Sequence, residues 1–394
     1  MKMMEMESPL LSGLGRELEK LKDSGAFRTL PEVQHSGKWI VDDKGHWMLN
    51  LSSNDYLGLV ADNLLYEEFM RLPGVGVLPF SSSSSRLLTG NSGIYSRLED
   101  TLASLYGRES ALVLSSGYHM NTGILPALCD SRALILADKL VHASLIDGIR
   151  LSPCHCIRYR HQDYSQLESI IEKVHGQYSR IFIVTESIFS MDGDLAPLQR
   201  LVGIRRRWNN VVLYVDEAHA VGVRGKNGLG LAEEAGCLKE IDLICGTFGK
   251  ALASTGAFVI CDKVIKDWLV NKMRTLIFTT AIPPVNLAWT QFIVERLSSF
   301  GDRRDRLAGY AAELRTALAD KGISHPSESH IVPMIAGTSE DAVMTAEVMR
   351  RKGFYVLPIR PPTVPEGTSR LRFSLTAALD SSDVDRLAAS IKTL

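Results

Sequence analysis

The sequence predicts an α/β protein: a large domain built on a mostly parallel seven-stranded sheet, followed by a smaller C-terminal α/β domain. Three observations carry that expectation. Short apolar runs alternate with helical stretches from residue 111 onward, one late run follows its predecessor too closely for a crossover helix, and the pattern changes after "IPP" at 282–284.

The parallel strands come first. The runs are "ALVLS" (111–115), "ALILA" (133–137), "CHCIR" (154–158), "IFIVT" (181–185), "VVLYV" (211–215) and "IDLIC" (241–245). Between them lie segments such as 164–174 and 197–207, with Leu and Ile at helical spacing, which is the pattern of a doubly wound sheet. "AFVIC" (257–261) leaves no room for a helix before it and reads as an antiparallel strand. Past 284, helical stretches near 285–299 and 303–321 lead to strand candidates near 330–335, 354–358 and 369–375 and a closing helix. The expected divisions are an N-terminal segment (1–55), a large domain (56–285) and a small C-terminal domain (286–394).

At the N-terminus, Leu10, Leu11, Leu14, Leu18 and Leu21 share one helical face, which predicts a short docked helix. The opening residues lack the apolar core of a signal peptide, and no apolar run is long enough to span a bilayer, so a cytoplasmic protein is expected. Forty-four Lys and Arg nearly cancel forty-five Asp and Glu, which speaks against nucleic acid or an anionic membrane as partner. Six cysteines read as buried free thiols. In Cys154-His155-Cys156 a strand would turn His155 away from both thiols, and no metal site is expected. "LPFSSSSSRLLTGN" (78–91) carries five serines before Arg86. Thr89-Gly90-Asn91-Ser92 then supplies start signals for a helix over 93–106, with Ile94, Leu98, Leu102 and Leu105 facing inward and Gly107 as its stop.

In open α/β sheets, ligands collect beyond the carboxyl ends of the strands. There the sequence places Asp216-Glu217-Ala218-His219, Gly246-Thr247-Phe248-Gly249-Lys250, Glu186 with Ser190-Met191-Asp192-Gly193-Asp194, and Ser116-Gly117-Tyr118 at a helix start. A nucleotide-binding P-loop around Gly249-Lys250 fails, because Ile244 and Ala251 occupy positions that need Gly and Ser or Thr. A lysine on a glycine-flanked turn beside a strand-end carboxylate suits pyridoxal phosphate instead. That cofactor needs an amine, a carboxylate for its pyridine nitrogen and helix N-terminal N–H groups for its phosphate. On these residues alone, Asp216 as a helix cap and Lys250 as a solvated charge stay open.

Eight stretches in order add a resemblance: "LSSNDYLGL" (51–59), "SSGYHMN" (115–121), "HASLIDG" (142–148), "TESIFSMDGDLAPL" (185–198), "VDEAHAVGVRG" (215–225), "GTFGKALASTGAF" (246–258), "FTTAIPP" (278–284) and "RPPTVPEGTSRLRFSLTAA" (360–378). Over roughly residues 45–394 the chain resembles the α-oxoamine synthases, pyridoxal-phosphate enzymes of the fold-type I aminotransferase class. The resemblance implies that the large domain binds the cofactor. It makes Lys250 the lysine that the cofactor links to, Asp216 the partner of the pyridine nitrogen, His219 the partner of the ring hydroxyl, and His142 the histidine stacked on the ring. Gly117, Tyr118, Ser190 and Thr247 match other cofactor-contacting positions. Thr280 matches a residue that reaches the phosphate from the other subunit, which implies a homodimer with shared active sites. Arg372 matches the arginine that takes the amino-acid carboxylate, with Asn54 as helper; Thr363 matches a substrate contact, and Arg28 a more loosely aligned acyl-substrate arginine.

The implied reaction is a decarboxylative condensation. Lys250 removes the amino acid's α-proton, the carbon attacks an acyl thioester, the thiol leaves, and CO2 is lost before reprotonation. "RPPTVP" followed by "GTSRLR" favours the branch that joins L-alanine to a pimeloyl thioester, on CoA or an acyl carrier protein, in biotin synthesis. A glycine C-acetyltransferase or another α-oxoamine synthase is the alternative within the enzymes. An inactive partner subunit of the same fold is the alternative outside them, and the presence of Lys250, Asp216 and His219 speaks against it. Three departures from the family's pattern bear on substrate detail: Leu379 after "TAA", Tyr95 ahead of Ser96-Arg97-Leu98-Glu99 where many members carry His, and Gln162 in "RHQD".

Overall fold

The computed structural model describes residues 8–394; residues 1–7, part of the stretch read above as lacking a leader, lie outside it. Seven strands form the central sheet, in the order Ser110–Leu114, Ala257–Cys261, Leu243–Thr247, Val211–Asp216, Arg180–Glu186, Ala133–Asp138 and His155–Tyr159. Ala257–Cys261 runs antiparallel to both its neighbours, and the remaining pairings are parallel. The fold-class expectation holds, including the one reversed strand.

The runs are apolar throughout because both faces of the sheet are covered. Ala111, Val113, Ile181 and Ile183 point into one core, while Leu112, Leu114, Phe182 and Val184 point into the other. Alternate side chains of one strand thus serve opposite layers, which removes the apolar-polar alternation of a half-exposed sheet. Polar residues begin where the strands leave this double cover. Asp216, Thr247 and Glu186 are the last residues of their strands.

Two smaller sheets complete the molecule. Ile331–Gly337, Ser369–Ser374 and Pro358–Ile359 form an antiparallel three-stranded sheet. Val33–Ser36, Trp39–Asp42 and Trp47–Asn50 pair in sequence, and Phe354–Tyr355 adds a parallel fourth strand. The N-terminal segment therefore shares a sheet with the C-terminal part of the chain.

Several expectations need correction. The helix Pro9–Asp23 forms, but it is not docked: none of its residues is buried, and Leu10 and Leu11 are 67% and 62% exposed. Its polar side chains satisfy one another through Lys20–Glu17 and Lys22–Glu19 ion pairs, while the leucine face meets no cover among the described residues. In the helix Gly93–Tyr106, Ile94, Leu98 and Leu102 are buried but Leu105 is 38% exposed. Tyr106 takes the inward position one residue later, with its hydroxyl donating to the Leu229 carbonyl at 2.8 Å. Ser92 sits at the N-cap of that helix, but its Oγ finds no partner. All six cysteines are free, yet Cys154 and Cys156 are only half-buried, because Cys156 lies in the outermost strand, which has a neighbour on one side only, and Cys154 just precedes it.

The serine run is a clasp. Ser82 Oγ donates to the Ile282 carbonyl at 2.9 Å, the Ala281 N–H donates to the Ser84 carbonyl at 2.9 Å, and Ser85 bridges Thr280. Arg86 anchors its far end. The guanidinium lies 3.9 Å from the ring centre of Tyr95 and donates to Glu99 and to the Val113 carbonyl, both at 2.7 Å. Tyr95 in turn accepts the Ile282 N–H at 2.7 Å, so this departure from the family's pattern also holds the 280–282 segment.

Candidate active site

The turn after strand Leu243–Thr247 delivers Lys250, and the turn after Val211–Asp216 delivers His219. Their side chains meet with Nζ 2.9 Å from Nε2. Burial pushes the Lys250 amine down to about 8, against the opposing pull of the Asp216 and Glu186 charges. Burial also holds His219 well below the ordinary histidine range, helped by the positive charges of Lys250 and Arg372, so its ring is neutral. The contact with the His219 ring and the burial of the amine speak against the solvated-charge reading of Lys250.

Asp216 is positioned by two donors. Its Oδ1 accepts the Ala218 N–H at 2.8 Å, and its Oδ2 accepts from Asn121 Nδ2 at 2.7 Å. Asn121 also donates to Ser144 Oγ at 2.9 Å and accepts from the Tyr214 hydroxyl at 2.6 Å. Ser144 lies against His142, whose Nδ1 is 2.8 Å from Ser144 Oγ and accepts the Ser144 N–H at 3.2 Å. Two donors on Nδ1 leave the proton of a neutral His142 on Nε2. His142 is at once the cap of helix Ala143–Leu151 and a ring held in a fixed tautomer, and burial lowers its pKa.

Glu186 stands directly opposite Asp216 in the parallel register. Burial, with the Asp216 charge beside it, raises its pKa well above the carboxylate range, and its Oε1 has no hydrogen-bond partner. Gly117 opens the helix Gly117–Leu128, which Ser116 caps by accepting the His119 N–H at 3.1 Å. A Cβ at Gly117 would sit 3.7 Å from Thr247 Oγ1, so the helix start and the Thr247 hydroxyl are neighbours. That hydroxyl donates to the Gly256 carbonyl at 3.0 Å and accepts the Gly249 N–H at 3.2 Å.

The amino-acid side of the site is built by the small sheet. Arg372, in strand Ser369–Ser374, donates its Nε–H to the carbonyl of buried Ser190 at 2.5 Å. Asn54 is exposed and its Oδ1 accepts from the Tyr56 hydroxyl at 3.0 Å. Thr363 and Arg28 meet each other, Nη2 to Oγ1 at 3.3 Å, and line a cavity of about 130 Å³ with Ala26, Pro358, Ile359, Arg360 and Pro361. Lys250 does not line this cavity. Neither Tyr118 nor Thr280 hydrogen-bonds to Lys250, His219 or Asp216. The Tyr118 side chain is exposed and donates to Asp147 at 2.7 Å, while exposed Thr280 accepts through its carbonyl from Ser115 Oγ at 3.3 Å. Of the two remaining departures, Leu379 is buried in the core and Gln162 donates to Asp194.

Sequence reasoning missed Tyr56, Asn121 and His161. The first two were inside quoted motifs, and the signal was a hydrogen-bonding side chain in a segment otherwise destined for burial. Nothing in the local pattern marks His161. Among the described residues no group of His, Cys, Asp and Glu could hold a metal, and no helix is long and apolar enough to cross a membrane.

The donor set suits pyridoxal phosphate: a buried amine, a strand-end carboxylate held by neutral donors, and a glycine-started helix N-terminus beside a hydroxyl. The comparisons agree. The chain is 52% identical to a provisionally named 8-amino-7-oxononanoate synthase of Pasteurella multocida, over 96% of this chain and 98% of the relative. It is also 52% identical to a protein of the same provisional name from Neisseria meningitidis, over 95% of this chain and 99% of that one. Among solved structures, a serine palmitoyltransferase of S. paucimobilis with bound pyridoxal phosphate superposes with a TM-score of 0.88 at 28% identity, covering 98% of each chain. An 8-amino-7-oxononanoate synthase from Francisella tularensis gives a TM-score of 0.76 at 28% identity, covering 88% of this chain and 97% of that one. The model of aminotransferase class I and II matches residues 47–391. The chain belongs to the aminotransferase class I and II family, as a pyridoxal-phosphate-dependent C-acyltransferase of the α-oxoamine synthase group.

Proposed function

We propose that this enzyme condenses L-alanine with a pimeloyl thioester, on CoA or an acyl carrier protein, to give 8-amino-7-oxononanoate, CO2 and the free thiol, in biotin biosynthesis. The observation that carries the choice of substrates is the 52% identity, over nearly the whole chain, to proteins provisionally named for that reaction. The higher TM-score of the serine palmitoyltransferase does not outweigh it. Backbone superposition reports the shared fold, whereas substrate choice is made by side chains.

In this reading Lys250, Asp216, His219 and His142 hold the cofactor's ring, while Gly117, Tyr118, Ser190 and Thr247 complete its site. Pyridoxal phosphate, when bound, supplies an electron sink for the pair left on the alanine Cα. Arg372, with Asn54, takes the alanine carboxylate as a charge-assisted fork. The Lys250 amine, weakened as an acid-holder by burial, takes the Cα proton. Cα then bonds to the thioester carbonyl carbon as the C–S bond breaks and the thiolate leaves. The carboxylate departs as CO2, and Cα regains a proton. Arg28 and Thr363 serve the acyl substrate at the cavity they line. Thr280 is supplied across the interface of a homodimer, held in place by the serine clasp, and the dimer works in the cytoplasm.

The experiment is CO2 release from carboxyl-labelled amino acids. Alanine with pimeloyl-CoA or pimeloyl carrier protein is expected to exceed glycine with acetyl-CoA by a wide margin. The reverse preference would overturn the substrate assignment in favour of a glycine C-acetyltransferase.

A further inference from the structure

A cluster of thiols lies at the sheet edge opposite Lys250, where the parallel strands begin. Half-buried Cys154 and Cys156 pack against the core layer that contains Cys129. Strand pairing brings them there. Leu134 stands opposite His155, so Cys154 falls beside the turn from Cys129 into strand Ala133–Asp138, which the Ala133 N–H closes on the Asp130 carbonyl at 3.0 Å. The Cys129 and Cys154 thiols meet in a hydrogen bond. Cys129 follows helix Gly117–Leu128, whose 12 residues put roughly 18 Å between this pair and Gly117.

The two thiols are unequal. Cys129 is 7% exposed and donates its N–H to the Leu125 carbonyl at 2.9 Å. Cys154 sits in a bend between exposed Pro153 and exposed His155. The thiolate is the reactive form, and its charge settles on the sulfur nearer water. The bond to Cys154, together with burial, holds the proton on Cys129; the same bond, accepted by the Cys154 sulfur, lowers the Cys154 pKa. The Asp130 carboxylate opposes a thiolate here, but it is paired with Arg132 and Arg180, both at 3.0 Å. Cys156 is a poor rival, because burial and the Cys154 charge raise its pKa to about 11.

We propose that Cys154 and Cys129 are a peroxide-sensitive pair that closes into a reversible disulfide, with Cys154 as the attacking thiol and Cys129 as the resolving one. The Cys154 sulfur attacks one oxygen of hydrogen peroxide. An S–O bond forms, the O–O bond breaks, and the leaving hydroxide takes up the thiol's proton as water. The Cys129 sulfur then attacks the Cys154 sulfur. The S–S bond forms, the S–O bond breaks, and the second hydroxide leaves with the Cys129 proton as a second water. Two thiols thus lose two electrons to one peroxide. Sulfurs in hydrogen-bond contact must still close to about 2.05 Å. The bend at Cys154 supplies that movement, because the strand it enters has a neighbour on one side only. The disulfide encloses strand Ala133–Asp138 and helix Ala143–Leu151, and so ties the helix that starts at Gly117 to the one that His142 caps. Those helices already meet closely: a Cβ at Gly148 would lie 2.2 Å from the Asn121 carbonyl oxygen.

Peptide mapping without reductant, on the holoprotein after hydrogen peroxide, tests the proposal. The expected product is a linked pair of peptides carrying Cys129 and Cys154, lighter by two hydrogens than the separate peptides and parted again by dithiothreitol. Cys154→Ser should form no such pair. In Cys129→Ala the reaction should stop at the Cys154 sulfenic acid, which dimedone captures. Wild-type protein in which Cys154 passes to the sulfinic acid with no linked pair would overturn the proposal. So would a Cys154–Cys156 link, or a Cys154 that peroxide leaves reduced. These three outcomes are read on the wild-type chain, whether or not either variant folds.

Discussion

The Nε–H of Arg372 donates to the main-chain oxygen of Ser190 at 2.5 Å, tying a strand of the small sheet to the loop that leaves the central sheet at Glu186. Two residues earlier in the same strand, Arg370 grips that loop again by pairing with Asp192 at 2.5 Å. The arginine proposed to bind substrate is thus aimed by a backbone contact in the other sheet's territory.

Arg372→Lys keeps the charge but loses both the tether and the planar fork. KM for the amino acid is expected to rise by roughly 10–100-fold, with a smaller loss in kcat, because one good bidentate contact is exchanged for a point charge. Steady-state kinetics with alanine as the varied substrate measures this. An unchanged KM would remove Arg372 from the carboxylate site.

The loop itself depends on Gly193. Its φ is +72°, and a Cβ there would lie 2.0 Å from the Ile331 carbonyl oxygen. Neither the backbone angle nor the main-chain neighbour can yield cheaply. Gly193→Ala should therefore lose more than about 3 kcal/mol of stability, since overpacking against backbone adds to a left-handed conformation. Thermal melting reads the loss, and a variant within about 1 kcal/mol of wild type would contradict the close approach.

His161 braces the loop from the opposite side. Its Nδ1 is 2.9 Å from Asp138 and its Nε2 is 2.8 Å from Asp194. Burial pulls its pKa down, but hydrogen bonds and charges from both carboxylates outweigh that and raise it from 6.5 to about 10. A raised histidine pKa means that the folded state holds a proton the unfolded chain has lost. This stabilisation is complete below pH 6.5 and disappears as the pH climbs through about 10. The melting-temperature gap between wild type and His161→Gln should be widest at and below pH 6.5, narrow as the pH rises above it, and close toward pH 10. A gap that stays constant over that range would mean the ring is neutral throughout.

What the sequence made legible was whatever has a period or a fixed word. The seven strands could be read because burial on both faces makes each an unbroken apolar run, and the Lys250, Asp216 and His219 positions because they end or follow such runs. Relations between distant segments were hidden. Nothing local in "RHQD" announces that His161 will meet Asp138 and Asp194, and no count of serines reveals that Ser82 and Ser84 will hold Ala281 and Ile282. Helical periodicity also overstated burial. It identified an apolar stripe from Leu10 to Leu21 but could not say whether the chain supplies anything to cover it, and it placed Leu105 where Tyr106 turns inward.

The last prediction concerns Lys250 before any substrate arrives. An amine attacks the cofactor's aldehyde only when unprotonated, and burial has lowered this one from 10.5 to about 8. In cofactor-free protein, the rate of pyridoxal phosphate uptake, followed by its change in absorbance, should climb with pH and level off just above 8. A surface lysine would still be climbing at pH 10. Lys250→Ala should fold, bind the cofactor without borohydride-resistant attachment, and lose at least about a thousand-fold in CO2 release, because both the attachment point and the proposed base are gone. A rate that rises without levelling until pH 10 would mean that Lys250 meets solvent when the cofactor enters. An active Lys250→Ala enzyme would require a different base altogether.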